Sequence, residues 1–173
     1  MEDEVEIEAG GEGPSGGEAA NRPAAPDAPW YAAGLRFECQ RTGNCCTGDP
    51  GTVRLAPAEI EALARRLGLE RPAFEVIYTR RLPSGMVSLR ERPNGDCVLY
   101  AAAAGCQVYP ERPRQCRTWP FWRSNLQSRA HWERAARACP GMNRGPFVAA
   151  ERIRRTSEDD GTAGERAAEG TPL

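Results

Sequence analysis

The chain has no lysine and a single histidine, His131, so its positive charge is carried by arginine and any metal site must rest chiefly on thiols. Long apolar runs are missing too. The longest, Val98 to Gly105, falls far short of the roughly 20 residues of a membrane helix, which excludes a membrane partner of that kind. The first residues, Met1-Glu-Asp-Glu, are acidic where a secretory leader must be basic, and no apolar stretch follows. The expected compartment is therefore the cytoplasm, where thiols stay reduced. A phosphate-binding glycine loop is also lacking, because Gly10-Gly11-Glu12-Gly13 has no strand or helix around it. Aromatics are only 7% of the chain, yet Trp119, Phe121, Trp122 and Trp132 fall close together, so they mark one region of the fold.

Seven cysteines stand out against this background. An odd number cannot all pair within one chain, and a reduced compartment argues for metal ligation or redox chemistry over a disulfide framework. The 173 residues suit one domain. Residues 1–29 read as a disordered acidic tail and 156–173 as a second tail, because neither shows apolar periodicity. Residues 30–155 form the expected folded unit. From Trp30 to Phe147 there are eighteen arginines against ten acids, a net charge of +8 hidden by the acidic tail. A solvated arginine surface explains this simply; a face for an anion, an anionic cluster or nucleic acid is the sharper reading, and of the macromolecular partners an unknown protein is open while nucleic acid is not expected.

The fold class expected is α+β, a small cysteine-rich domain of short strands, a hairpin and about four helices around a metal centre. Pro57–Leu67 has proline in its first turn, Ile60, Leu63, Ala64 and Leu67 on one face, and Gly68 as a stop. Arg71–Arg80 reads as a second helix with Phe74, Ile77 and Tyr78 inward. Short strands are expected at Val53–Leu55 and Met86–Arg90, and a hairpin from Cys97–Tyr100 to Cys106–Tyr109 across the loop 101–105. One helical turn is expected at Pro113–Trp119, a helix at Arg129–Ala138, and a last helix at Pro146–Arg155.

The thiols fall as Cys39-x5-Cys45-Cys46, Cys97-x8-Cys106-x9-Cys116, and Cys139, and none forms a C-x-x-C pair of simple zinc-ribbon spacing. All seven are candidate metal ligands: Cys39, Cys45, Cys46, Cys97, Cys106, Cys116 and Cys139. Gly43-Asn44 permits a tight turn that lets Cys39 meet Cys46 or Cys45. Cys97 and Cys106 can approach across the hairpin. Cys116 is flanked by Arg112, Arg114 and Arg117, whose charge is expected to favour its thiolate, and Cys139 shares a helix face with Trp132, Ala135 and Ala136. The adjacent Cys45 and Cys46 are expected to point apart, so both on one tetrahedral ion would be strained. Seven thiols exceed the four of one zinc, which leaves a two-metal site, a cluster with spare thiols, or structural cysteines. Inert buried cysteines and a reactive dithiol are the rival readings.

His131 reads as a surface or partly buried helix residue. Trp119, Phe121 and Trp122 read as a water-excluding wall around the centre. Arg112, Arg114, Arg117 and Arg123 read as counter-charges to its thiolates. Catalytic residues are not identified, and whether the protein is an enzyme stays open.

In Phe37-Glu-Cys39, Gly43-Asn-Cys45-Cys46-Thr-Gly48, Cys97-Val-Leu-Tyr100, Gly105-Cys-Gln-Val-Tyr109, Arg112-Pro-Arg-Gln-Cys116-Arg-Thr-Trp-Pro-Phe-Trp122 and Cys139-Pro-Gly-Met142, the chain resembles the YkgJ-type cysteine-cluster family. That family is described as a zinc- or iron-chelating domain. The resemblance covers about Leu35 to Phe147 and implies a metal centre, with an iron–sulfur cluster or zinc as the cofactor. Many members carry a further cysteine in C-x-x-C-x-x-C-C; here that neighbourhood holds Arg41-Thr42-Gly43. A similar module in flagellin lysine methylases looks like an iron–sulfur element. Three functions are thus carried forward: a metal-binding cysteine-cluster protein, a cluster-dependent redox or methyl-transfer-type enzyme, and a structural zinc module that docks a partner.

Overall fold

The computed structural model describes residues 28–162; the expected tails lie mostly outside the described residues. The described chain is α+β. Its strands form three separate antiparallel pairs, and helices fill the space between them.

The first pair joins the two ends of the folded unit. Strand β1 (Leu35–Phe37) pairs with β6 (Met142–Val148), with a register break between Arg36 and Phe37 where residues 143–146 bulge outward. Neither strand is evident in the sequence. Residues 146–148, expected to open the last helix, are strand instead, because each β1 residue has a β6 partner to bond. The last helix, α6, starts at Ala150 and runs on to Glu158, past the expected end at Arg155.

Helices α1 (Pro57–Arg66) and α2 (Arg71–Tyr78) form as the apolar spacing requires, with Ile60, Leu63, Ala64 and Phe74 buried. Ile77 departs from expectation: it is 49% exposed, because α2 lies against the core through Phe74 and Tyr78. Strands β2 (Thr79–Arg81) and β3 (Val87–Leu89) form a hairpin, and the expected strand at 53–55 shrinks to a single bridge between Arg54 and Ser88. Strands β4 (Tyr100–Ala101) and β5 (Gly105–Cys106) make the expected second hairpin in its inner part only. Helix α3 (Arg114–Thr118) is the expected single turn and ends before Pro120. Helix α4 (Arg123–Leu126) follows, and α5 (Arg129–Ala138) matches its expected bounds.

Two small hydrophobic cores result. The first gathers Leu55, Ile60, Leu63, Phe74, Leu89, Leu99 and Val108, with Cys97 and Cys106 packed at its edge. The second gathers Phe121, Leu126, Trp132, Met142 and Ile153, with Phe37, Trp119 and Cys139 at its edge. Burying a side chain such as Phe74 contributes about 1.5–3 kcal/mol. Neither core is large, and cysteines mark the border of each. Among the described residues, no helix is long and apolar enough to cross a membrane.

Candidate metal centre

A cavity of about 340 Å³ lies where these borders meet, and Cys39, Cys45, Cys46, Cys106 and Cys139 line it. Four backbone or side-chain ties bring the cysteine loop 39–46 there. Glu38 N–H donates to the Gly141 carbonyl at 3.1 Å, which sets Cys39 beside the end of α5. The Asn44 side chain donates to the Ala138 carbonyl at 3.0 Å, next to Cys139. Cys46 N–H donates to Gly43 O at 2.7 Å, closing the turn that carries Cys45 and Cys46. Cys97 N–H donates to Cys46 O at 2.8 Å, which joins the loop to the first core.

The close approach of Gly141 is structural necessity, since a β-carbon there would stand 2.1 Å from Glu38 O. Gly43 has φ of +79°, and its β-carbon would fall 2.5 Å from the Tyr100 ring, so the turn tolerates only glycine.

The adjacent pair does not point apart as expected. Cys45 Sγ and Cys46 Sγ stand 3.8 Å from each other. Two sulfurs each about 2.3 Å from a tetrahedral ion are separated by about 3.8 Å, so this spacing suits shared coordination. The turn at residues 44–46 swings both side chains to one side, which an extended dipeptide would not do.

The titration behaviour follows from the same proximity. Cys45 is held down, to about 6, first by its hydrogen bond with Cys46, which outweighs the opposing effect of burial, with a backbone hydrogen bond and the charge of Arg112 adding to it. Cys46 is pushed up by keeping the shared proton and by burial. The pair thus loses its first proton easily and holds its second. Burial pushes the Cys97 and Cys106 thiols up. Cys116 is also pushed up, first by burial and then by the neighbouring thiols Cys97, Cys45 and Cys106; the opposing effect of Arg112 is the smaller one. The expectation that flanking arginines favour the Cys116 thiolate is therefore reversed. Arg114 is turned away to Asp159, at 2.6 Å, and Arg117 donates to the Arg112 carbonyl.

Cys45, Cys46, Cys97, Cys106 and Cys116 thus form one electrostatically coupled set. Cys39 and Cys139 face the same cavity from the side of the second core, where Trp119 Nε1 donates to Cys139 Sγ at 3.4 Å. Among the described residues, no three His, Cys, Asp or Glu side chains form a ready-made metal-holding group. Five of the seven thiols share a cavity without sharing a point, and Cys97 and Cys116 lie outside its lining. Protonated thiols have no reason to converge further, and a metal ion binds by displacing those protons. The donor set itself, thiols with a basic wall, fits a thiophilic metal.

The other expected site residues divide. Trp119 lines the cavity; Phe121 is buried in the second core, stacked on Trp132, and Trp122 braces Trp119 edge-on at 4.8 Å between centroids. His131 lies off the cavity, its Nδ1 2.8 Å from Ser128 Oγ at the start of α5. Of the four arginines, only Arg112 reaches the cavity; Arg123 donates to the Ser157 carbonyl. Sequence reasoning missed Arg41, Tyr100 and Tyr109 in the cavity wall. Arg41 carries no local signal, since its place depends on a left-handed backbone, φ +54°, that arginine rarely adopts.

Residues 38–140, more than half of the chain, match the family model CxxCxxCC, described as a zinc- or iron-chelating domain. No solved structure matches the chain. Thr42 stands at the place of the second cysteine in that signature, between Cys39 and Cys45-Cys46.

Proposed function

The chain belongs to the CxxCxxCC family of zinc- or iron-chelating domains, and from that premise we propose that its cavity holds a thiolate-bound metal centre, an iron–sulfur cluster ahead of zinc. The observation that carries this reading is the Cys45–Cys46 pair, 3.8 Å apart on the wall of a cavity that three further thiols line. Cys45 and Cys46 are the nucleus of the ligand set. Cys39, Cys106 and Cys139, which line the same cavity, are the next ligands, and Cys97 and Cys116, outside the lining, follow. His131 is engaged with Ser128, which leaves an all-thiolate set, and thiolates in excess of four suit a cluster better than a single zinc. Such a centre would supply electron transfer or Lewis-acid chemistry.

A second reading is an enzymatic centre, to which Arg41, Arg112, Tyr100 and Tyr109 on the cavity wall beside the thiols would offer a substrate site. Anaerobic purification, an absorption spectrum and elemental analysis decide the metal. Iron with inorganic sulfide and a reducible visible band are expected; colourless protein with stoichiometric zinc removes the cluster, and protein that neither carries metal as purified nor takes it up removes the proposal.

A further inference from the structure

Besides its thiols, the wall of the cavity carries two guanidinium groups, Arg41 and Arg112. Both lie over the Tyr109 ring, Arg112 at 3.7 Å and Arg41 at 4.3 Å from its centre. Arg112 is fixed by donating from Nε to the Tyr109 carbonyl at 3.0 Å. Among the described residues that line the cavity there is no Asp or Glu, and among the described residues neither guanidinium pairs with a carboxylate. Arginines such as Arg66, Arg71 and Arg80 are bonded to nearby acids. Half-buried Arg112 and exposed Arg41 are not, and Arg41 is aimed by a left-handed backbone that a residue with a β-carbon rarely adopts. A conformation of that kind persists where the surrounding structure enforces it. Tyr100 and Asn44 add polar groups to the same wall.

We propose that the cavity beside the thiols binds a small oxyanion, the carboxylate or phosphate group of a ligand, held by Arg41 and Arg112. A guanidinium offers paired donors matched to such groups, and two of them without a competing acid leave a site of opposite charge to the ligand. The apolar part of the ligand lies along the alanine-rich loop 102–104, which forms the cavity's other rim. This goes beyond chelation, because it stands on the arginines and the cavity whichever metal is held.

The test is calorimetric titration of the full chain, as purified, with inorganic phosphate and separately with succinate, at constant ionic strength set by sodium chloride. One-to-one binding of at least one probe is expected. Arg41→Gln should weaken it at least tenfold, Arg41→Lys by less, and metal content per chain should stay unchanged in both variants. Circular dichroism checks that each variant is folded. Binding of phosphate alone identifies a phosphate ligand, and binding of succinate alone a carboxylate. Failure of both probes to bind overturns the proposal, as does binding that Arg41→Gln leaves intact. Loss of metal in Arg41→Gln also overturns it, since the arginine then serves the thiolates. A chain that neither carries nor takes up metal, yet still binds a probe through Arg41, would sink the metal reading and leave this one standing.

Discussion

Gly43 concentrates the demands of the site in one residue: a left-handed turn, and a contact with the Tyr100 ring that leaves no room for a β-carbon. Gly43→Ala must both strain the backbone and displace Tyr100, so a loss of about 1–3 kcal/mol is expected, measured by denaturant melts. Metal content should fall with it, because the same turn brings Cys45 and Cys46 together. The pair itself is tested by Cys46→Ser. A serine oxygen is a poorer partner for a thiophilic metal than a thiolate. The variant should lose most of its bound metal by elemental analysis, while Cys39→Ser, outside the close pair, should lose less. Equal loss in both would mean that Cys39 is as central to the ligand set as Cys46.

Short elements need unusual ties, and two acids supply them. Glu59 accepts from Ala56 N–H at 2.8 Å, capping α1, and with its other oxygen from Arg114 N–H at 2.5 Å, capping the helix that carries Cys116. Glu59→Ala uncaps both helices at once and should cost about 1–3 kcal/mol, more than an ordinary single cap. Asp160 does the same for the chain's last described segment. It accepts from Arg123 N–H, at the start of α4, and from the Thr162 N–H and hydroxyl. Burial works to raise its carboxyl, but these bonds together outweigh burial and hold it low. A carboxyl depressed in the folded state lends stability that is present above its unfolded value, about 3.9, and lost as pH falls through the folded one. The acid limb of the stability profile should therefore flatten below about pH 4 in Asp160→Asn. An unchanged acid limb would show that Asp160 does not set it.

On the scale of the whole molecule, two small cores meet at a seam lined with thiols. Structural metal sites contribute about 10–16 kcal/mol of apparent binding free energy, and a domain of this size has a net stability of about 5–15 kcal/mol. Bound metal across the seam is thus comparable to the whole margin. Chelation is expected to loosen or unfold the chain, read as a lower or lost cooperative thermal transition. The metal-free form should also weaken in alkali. Burial holds the Cys97, Cys106 and Cys116 thiols above their ordinary range. Groups raised in the fold lend stability that is complete below their unfolded value and fades as pH climbs beyond it. Metal-free protein should therefore lose stability above about pH 8.5, and metal-loaded protein, its ligands already deprotonated, should not.

Local chemistry alone settled where the helices at 57–66, 71–78 and 129–138 lie, because apolar spacing, a proline in the first turn of the first two and a glycine stop at Gly68 act within a few residues, but the second was expected to reach Arg80 and gives way at Thr79 to strand β2, which pairs with β3. The seven thiols, the scarcity of histidine and the α+β class were equally plain in the sequence. What tertiary structure decided was which groups face one another. The β1–β6 pairing, the Asn44–Ala138 bond and the place of Arg41 over Tyr109 each depend on segments far apart in sequence. So does the reversal at Cys116, where burial among other thiols outweighs the arginines beside it in the chain. Charge and burial act through space, and a sequence records only neighbours along the backbone.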